Sequence, residues 1–497
     1  MDLSTPMGLT VALAPEIFLS FWSLIVLLVI AWRHRTAADS RVVGWLSFVG
    51  IVLTGAIVVG MWAGGAGIDG FANMIEVDGF RFATSMLFLL AAGASILVSM
   101  AYVEREKLLA PEYYVLMLLA TVGMMFMGGA ADLIVLFLGL EVMSVAVYVL
   151  AGFNRASRYS AEAALKYFLI GAFASGFLLY GIALIYGATG LTNLSLIGIK
   201  LSGAPIPFMA NLGLGLLLIG LAFKVAAVPF HMWAPDVYDG APTPVTGFMA
   251  TGVKAAAFAG LARTLLEAFP SAMSQWQPVI AVISIASMIV GNLVALVQRP
   301  LKRMLAYSSV AHAGYLLAAL WAGNRFGATT LLIYLTAYTL TTIASFTILA
   351  ALGRNGERDV TLDDLAGLAE RRPWMAAALA VSMLSLLGFP GTLGFIGKWY
   401  ILEAVVSQGQ TVLAVVLVLT SVVSAGYYLP VIMAMYMRSS PQPDSHAGHR
   451  LVPMASVVVL VCVVGMLLFG VLPNLLLDLA QSSVAGLGQL VSPVASQ

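Results

Sequence analysis

Fourteen times along this chain there is a run of roughly 18 or more mostly apolar residues, long enough as a helix to cross the ~30 Å hydrocarbon core of a bilayer. No other feature narrows the fold so far. Hydrocarbon offers no water to a bare N–H or C=O, so each run must satisfy its own backbone groups, and an α-helix does this within one segment. The chain therefore reads as all-α, a polytopic membrane protein of about 14 transmembrane helices. The runs fall near 13–32, 42–62, 82–101, 112–129, 132–152, 161–187, 208–228, 243–266, 277–297, 302–322, 327–352, 374–404, 411–437 and 453–477. Composition agrees, with 61% hydrophobic and 9% charged residues and a mean hydropathy of +0.99, which a soluble globule does not show. The longest polar stretch, Gly353 to Pro373, is too short to bury a core of its own. The first run, Pro15 to Trp32, is too long for a signal-peptide core and lacks a small-residue cleavage site, so it reads as a retained helix.

Several functions are excluded early. A net charge of +1 with no basic cluster gives no reason to expect nucleic acid as a partner. The single cysteine, Cys462, rules out disulfides within the chain, cysteine-ligated iron-sulfur clusters and zinc-cysteine sites. Any redox chemistry would then belong to another subunit. His446 and His449 share a polar loop with Asp444 and read as solvated rather than metal-binding, so no metal site is expected.

Lysine and arginine in the connecting loops predict orientation, because short cytoplasmic loops carry the excess. With the N-terminus outside, sixteen basic residues fall in the cytoplasmic loops and three, Arg81, Lys200 and Arg325, in the opposite ones. Both termini are expected outside the cytoplasm.

Five basic residues lie within the runs: Lys166, Lys224, Lys254, Arg263 and Lys398. Arg263 is near a helix end, from which it can snorkel. Lys166 stands about one turn into its helix and reads equally as an interfacial lysine and as a relay member. Lys224, Lys254 and Lys398 lie deep, where a lysine costs several kcal/mol by insertion scales (~2.5–3.5) and persists if paired, hydrated or functional. Among the acids, Glu141 alone is near the middle of an apolar run, and it is the natural partner of one deep lysine. Charge pairing and burial act oppositely on such a pair, so small changes tip it. A static ion pair joining two helices is the competing account.

Two of the lysines accompany broken helices. Lys224 comes before Pro229 in KVAAVPFHMW, and Lys398 follows Pro390 and Gly391 in GFPGTLGFIGKW. Lys224 is thus expected at the negative C-terminal end of a half-helix and Lys398 beyond the positive start of one. The breaks fall in helices seven and twelve, five apart, so the two segments run in opposite directions. That pattern predicts inverted five-helix repeats over 111–267 and 276–437, flanked by helices one to three (1–110) and a last helix (453–477), all in one membrane domain spanning 1–497. His312, in MLAYSSVAHAGYLL, could pass protons or simply pack, whereas His231, beside the first break, reads as satisfying backbone groups freed there.

The runs KVAAVPFHMWAPDVYDGAPTPVTGFMATGVKAA, LKRMLAYSSVAHAGYLL and GFPGTLGFIGKW resemble the antiporter-like subunits of proton-pumping NADH:quinone oxidoreductase, respiratory complex I. The resemblance covers most of helices four to thirteen. It implies a subunit that moves protons across the bacterial inner membrane while partner subunits pass electrons from NADH through flavin and iron-sulfur clusters to quinone, with no cofactor in this chain. Carried over by motif, Glu141 and Lys224 would be paired charges, Lys254 a central relay and Lys398 the terminal proton-exchange residue, with His312 and Lys166 as possible members. The alternative within the superfamily is a subunit of a multisubunit sodium/proton antiporter. A stand-alone solute carrier would need converging polar groups, and the sequence shows a line of titratable ones instead.

Overall fold

The computed structural model describes residues 6–32, 37–64, 74–108, 111–203, 205–353, 360–439 and 451–488. Among them, eleven helices are long and apolar enough to cross a membrane, and three shorter apolar helices complete the expected fourteen. They are α1 (Ala14–Trp32), α2 (Ala37–Ala63), α3 (Gly79–Arg105), α4 (Glu112–Gly128), α5 (Leu133–Ala151), α6 (Arg158–Thr189) and α7a (Phe208–Lys224) with α7b (Trp233–Gly240). Then follow α8 (Thr243–Ala268), α9 (Met273–Ala295), α10 (Leu301–Trp321), α11 (Arg325–Leu352), α12a (Pro373–Leu387) with α12b (Leu393–Ser407), α13 (Thr411–Met437) and α14 (Pro453–Val471). His446 and His449 lie outside the described residues.

Position in the bundle follows from side-chain chemistry. The least apolar spans, α8, α10 and α11, are the most buried, at 100%, 94% and 83%, whereas the strongly apolar α14 is 33% buried. Polar groups in hydrocarbon are tolerated only against other protein, so the polar helices take the centre. Small residues allow the close approaches. A Cβ on Gly123 of α4 would lie 2.5 Å from the Met143 nitrogen of α5, and one on Gly291 of α9 would lie 2.5 Å from the Ala311 nitrogen of α10. The contact of α4 with α5 thus recurs five helices later in that of α9 with α10, as the contact of α6 with α7a recurs in that of α11 with α12.

Three details depart from the sequence expectation. The last run stops at Val471, and Pro473, which fits a helix start but not a helix interior, begins a separate helix, Pro473–Ser483. The loop before α7a holds a helix of its own, Leu194–Leu201, capped by Asn193. In α8 the α-helical hydrogen bonding widens to π geometry at Met249–Val253 and at Thr264–Ala268, directly before Lys254 and directly after Arg263. Such bulges re-aim side chains and recur at functional sites.

Candidate proton path

The first break opens where α7a ends at Lys224. Its freed groups are taken up locally: Trp233 Nε1 donates to the Phe223 carbonyl (3.0 Å), and the Val228 N–H donates to Ser287 Oγ of α9 (2.9 Å). The Phe223 carbonyl is thus held by an indole, and His231, expected to serve backbone groups freed here, has a backbone hydrogen bond to Pro229. Lys224 is buried and donates to the Tyr148 hydroxyl of α5 (3.1 Å). Around its ammonium stand the rings of Tyr148, Tyr167 and Phe223, with centroids 4.9, 5.3 and 5.6 Å away. Ring quadrupoles stabilise a desolvated cation by about 2 kcal/mol, without a fixed anion that would trap the proton.

Glu141 lies two turns from Tyr148 on α5, close enough to act on Lys224 electrostatically, but the lysine bonds Tyr148 and the carboxylate bonds Ser175. Its carboxylate accepts from Ser175 Oγ of α6 and is only partly buried. Lys166 joins neither group. It is 40% exposed, at the end of the bundle expected to face the cytoplasm, and it pairs with Glu162 (2.6 Å) and with Asp236 of α7b (2.8 Å). Asp236 also binds Arg303 of α10 (2.9 Å). Burial pushes the Asp236 carboxyl up, but the bonds from Lys166 and Arg303 outweigh it and hold the group below the usual carboxylate range.

Between Lys224 and the centre, aromatic rings fill the space: Tyr167 stacks on Trp233 (4.4 Å), which meets Tyr238 edge-on (6.0 Å). At the centre, Lys254 donates to the Ser309 carbonyl of α10 (2.6 Å) and to Ser309 Oγ, which also accepts from Tyr338 of α11 (2.8 Å). One turn on, His312 bonds two phenols, Tyr334 through Nδ1 (2.7 Å) and Tyr428 of α13 through Nε2 (3.0 Å). Tyr428 in turn bonds Ser308. The His312 ring lies 5.5 Å from that of Tyr315, and the ammonium of Lys398 sits 4.7 Å from the Tyr315 ring centroid. Hydroxyl and imidazole groups thus line the way from Lys254 to Lys398, joined by ring contacts at Tyr338–His312, His312–Tyr315 and Tyr315–Lys398.

Lys398 overturns an expectation. The sequence places it beyond the positive start of α12b. In the fold its side chain reaches back across the break and donates to the carbonyls of Leu386 and Leu387 (both 3.0 Å), the last residues of α12a. Lys398, like Lys224, therefore belongs to the negative C-terminal end of a half-helix. The helix is broken at Gly388 and Gly391, with φ of 86° and 87°, a backbone region where a Cβ is strained. Arg263 is a second correction. It is 1% exposed, held by Asp78 and Glu267, and does not snorkel.

Sequence reasoning missed Tyr148, Tyr334, Tyr338, Tyr428 and Asp236. The signal was weak: phenols at single positions of apolar helices, indistinguishable from packing until their hydroxyls face a lysine or histidine.

Two oppositely directed broken helices set against a buried line of lysines define the antiporter-like class of ion-translocating membrane subunits. Residues 130–424 match the family described as NADH:quinone oxidoreductase/Mrp antiporter, TM. The chain is 43% identical over 472 residues to NADH-quinone oxidoreductase subunit N of Trichlorobacter lovleyi, covering 95% of this chain and 96% of that protein. It is 44% identical to the subunit N of Gemmatimonas aurantiaca, covering 97% and 95%. A chain of respiratory complex I from Thermus thermophilus, in a structure with bound aureothin, superposes with a TM-score of 0.79 at 37% identity, covering 94% of this chain and 99% of that one. A chain of the Mrp complex from Dietzia shares the fold alone, at 23% identity and a TM-score of 0.85 over 97% and 98%. The chain belongs to the NADH-quinone oxidoreductase subunit N family.

Proposed function

We propose that this chain is the antiporter-like membrane subunit through which NADH:quinone oxidoreductase moves protons, coupled to electron transfer from NADH to quinone in other subunits of complex I. Its relatives carry that enzyme's name and a complex I chain shares its fold. The observation that supports proton movement best is the buried succession Lys254, Ser309, Tyr338, His312, Tyr315 and Lys398, each within bonding or ring-contact distance of the next, with Tyr334 and Tyr428 bonded to His312. Protons enter near Asp236 and Lys166, pass Lys224 and Lys254, and leave beyond Lys398. Glu141 sets the field at Lys224 from the partly exposed face of α5. Flavin, iron-sulfur clusters and the quinone site belong to partner subunits. The sixteen-to-three loop asymmetry supports an inner-membrane orientation with both termini outside.

The test is substitution of Lys398 in the assembled enzyme. Lys398→Ala removes the titrating group, and Lys398→Arg keeps the charge but cannot release a proton in the working pH range. Both should lower proton pumping and slow NADH-driven quinone reduction, because a blocked proton step holds back the step that drives it. Complex content is checked on native gels. Wild-type pumping and reduction in an assembled Lys398→Arg enzyme would exclude the role.

A further inference from the structure

At the opposite end of α8 from the entry site, charged side chains from four segments meet in the interior. Arg263 of α8 donates from Nη2 to Asp78 Oδ1 (2.6 Å), from Nη1 to Glu267 Oε1 (2.8 Å) and from Nε to the Gly128 carbonyl at the end of α4 (2.7 Å). Its guanidinium covers the Phe80 ring at 5.2 Å. Glu76 enters the same cluster on a segment whose N–H bonds the Gly129 carbonyl (2.8 Å). Beside it Arg81 of α3 and Glu16 of α1, 2% and 1% exposed, form a pair whose Nη2 meets both carboxylate oxygens (2.7 and 2.8 Å). That pair neutralises itself. One guanidinium therefore pairs with two carboxylates, Asp78 and Glu267, with the Glu76 charge acting on the same group. Asp78 is further committed, because its Oδ1 also accepts the Arg81 N–H (2.8 Å). Glu267, 7% exposed, uses Oε1 for Arg263, and its Oε2 is buried with no hydrogen-bond partner. At the same end Asp132 is occupied as the cap of α5, accepting from the Ile134 N–H (2.7 Å) and Thr192 Oγ1 (2.6 Å).

We propose that this cluster is a proton-binding site in which Glu267 carries the proton. Three carboxylates near one cation leave two uncompensated negative charges in a low-dielectric interior, and protonating one of the carboxylates removes half of that excess. A proton also supplies the donor that the bare Glu267 Oε2 would otherwise lack. At Glu76, which precedes α3, burial raises the carboxyl above its ordinary range, Arg263 opposes this and Asp78 adds to it. Arg263 is nine residues from Lys254 on the same helix, about 14 Å along its axis. The site thus stands off the line from Lys254 to Lys398, and nothing in its argument depends on Lys398.

The experiment is pH-difference infrared spectroscopy of the assembled complex, following the carboxylic-acid C=O band, with Glu267→Gln and Glu76→Gln beside the wild type. The expected result is a titrating band that is lost in Glu267→Gln. In Glu76→Gln it moves to lower pH, since removing the neighbouring negative charge makes the ionised form of Glu267 less unfavourable. Lys398→Ala leaves it in place, so failure here and failure of the pumping role are separate outcomes. Should Glu267→Gln not assemble, the Glu76→Gln midpoint decides alone. A midpoint unmoved by Glu76→Gln, or a band that persists in Glu267→Gln, overturns the proposal.

Discussion

Tyr148 and Tyr167 flank the same lysine, yet only one hydroxyl serves it. Tyr148 takes the proton-bearing side of Lys224 at 3.1 Å, while the Tyr167 hydroxyl is buried with no hydrogen-bond partner. Removing a hydroxyl that leaves a buried donor unsatisfied costs about 1–3 kcal/mol, whereas removing an unpaired one costs little and can stabilise. Tyr148→Phe should therefore lower pumping and quinone reduction together in an assembled enzyme, and Tyr167→Phe should retain both. Measured in matched membranes, wild-type values in both variants would mean that the rings, not the hydroxyl, serve Lys224. The same logic applies at His312, where both nitrogens are occupied by phenols from α11 and α13. Its ring is fixed at a junction of three helices, and Tyr428→Phe should uncouple it by leaving Nε2 and Ser308 without their common partner.

At the scale of elements, the breaks are stabilised as actively as the helices. In the second, the ends are joined by Lys398 on the Leu386 and Leu387 carbonyls, by the Gly394 N–H on Ser385 Oγ (3.3 Å) and by Thr341 on Ser385 (3.0 Å). Gly394 is the point of closest approach, and a Cβ there would overlap the Ser385 carbonyl. Gly394→Ala should displace the start of α12b from the end of α12a, lowering thermal stability and, with it, the lysine's grip. Gly215, in α7a, has nothing within 4 Å of its would-be Cβ. Gly215→Ala should be neutral or stabilising by up to about 1 kcal/mol, the helix propensity difference. Melting of the two purified variants checks the contrast, and equal behaviour would show that the break tolerates separation.

For the whole molecule, helix count and loop charge make one statement together. Residues Glu16, Asp78, Arg81, Arg263 and Glu267 lie near the starts of α1 and α3 and the end of α8, and they meet in one cluster, as alternating directions across eight helices require. The orientation itself is tested by reporter fusions. A reporter within residues 353–373 should read as cytoplasmic and one at the C-terminus as outside, and two reporters on one side would mean an error in the count. A tagged chain should also bring down flavin- and cluster-containing subunits.

The amino-acid sequence alone determined the all-α membrane class, the fourteen helices, the two breaks and the three deep lysines. Each is a local property: a summed hydropathy over some twenty residues, a proline and glycine that end a helix, a charge where hydrocarbon should be. What each lysine touches was decided only by the tertiary structure. Lys398 turns back to the preceding half-helix, Lys224 meets a phenol rather than Glu141, Lys166 pairs with Glu162 and Asp236, and Arg263 is buried. These outcomes depend on partners far away in the chain, such as Tyr428, 116 positions from His312, and Asp78, 185 from Arg263. No window of local sequence contains both members of such a pair, and the packing of helices alone brings them within reach.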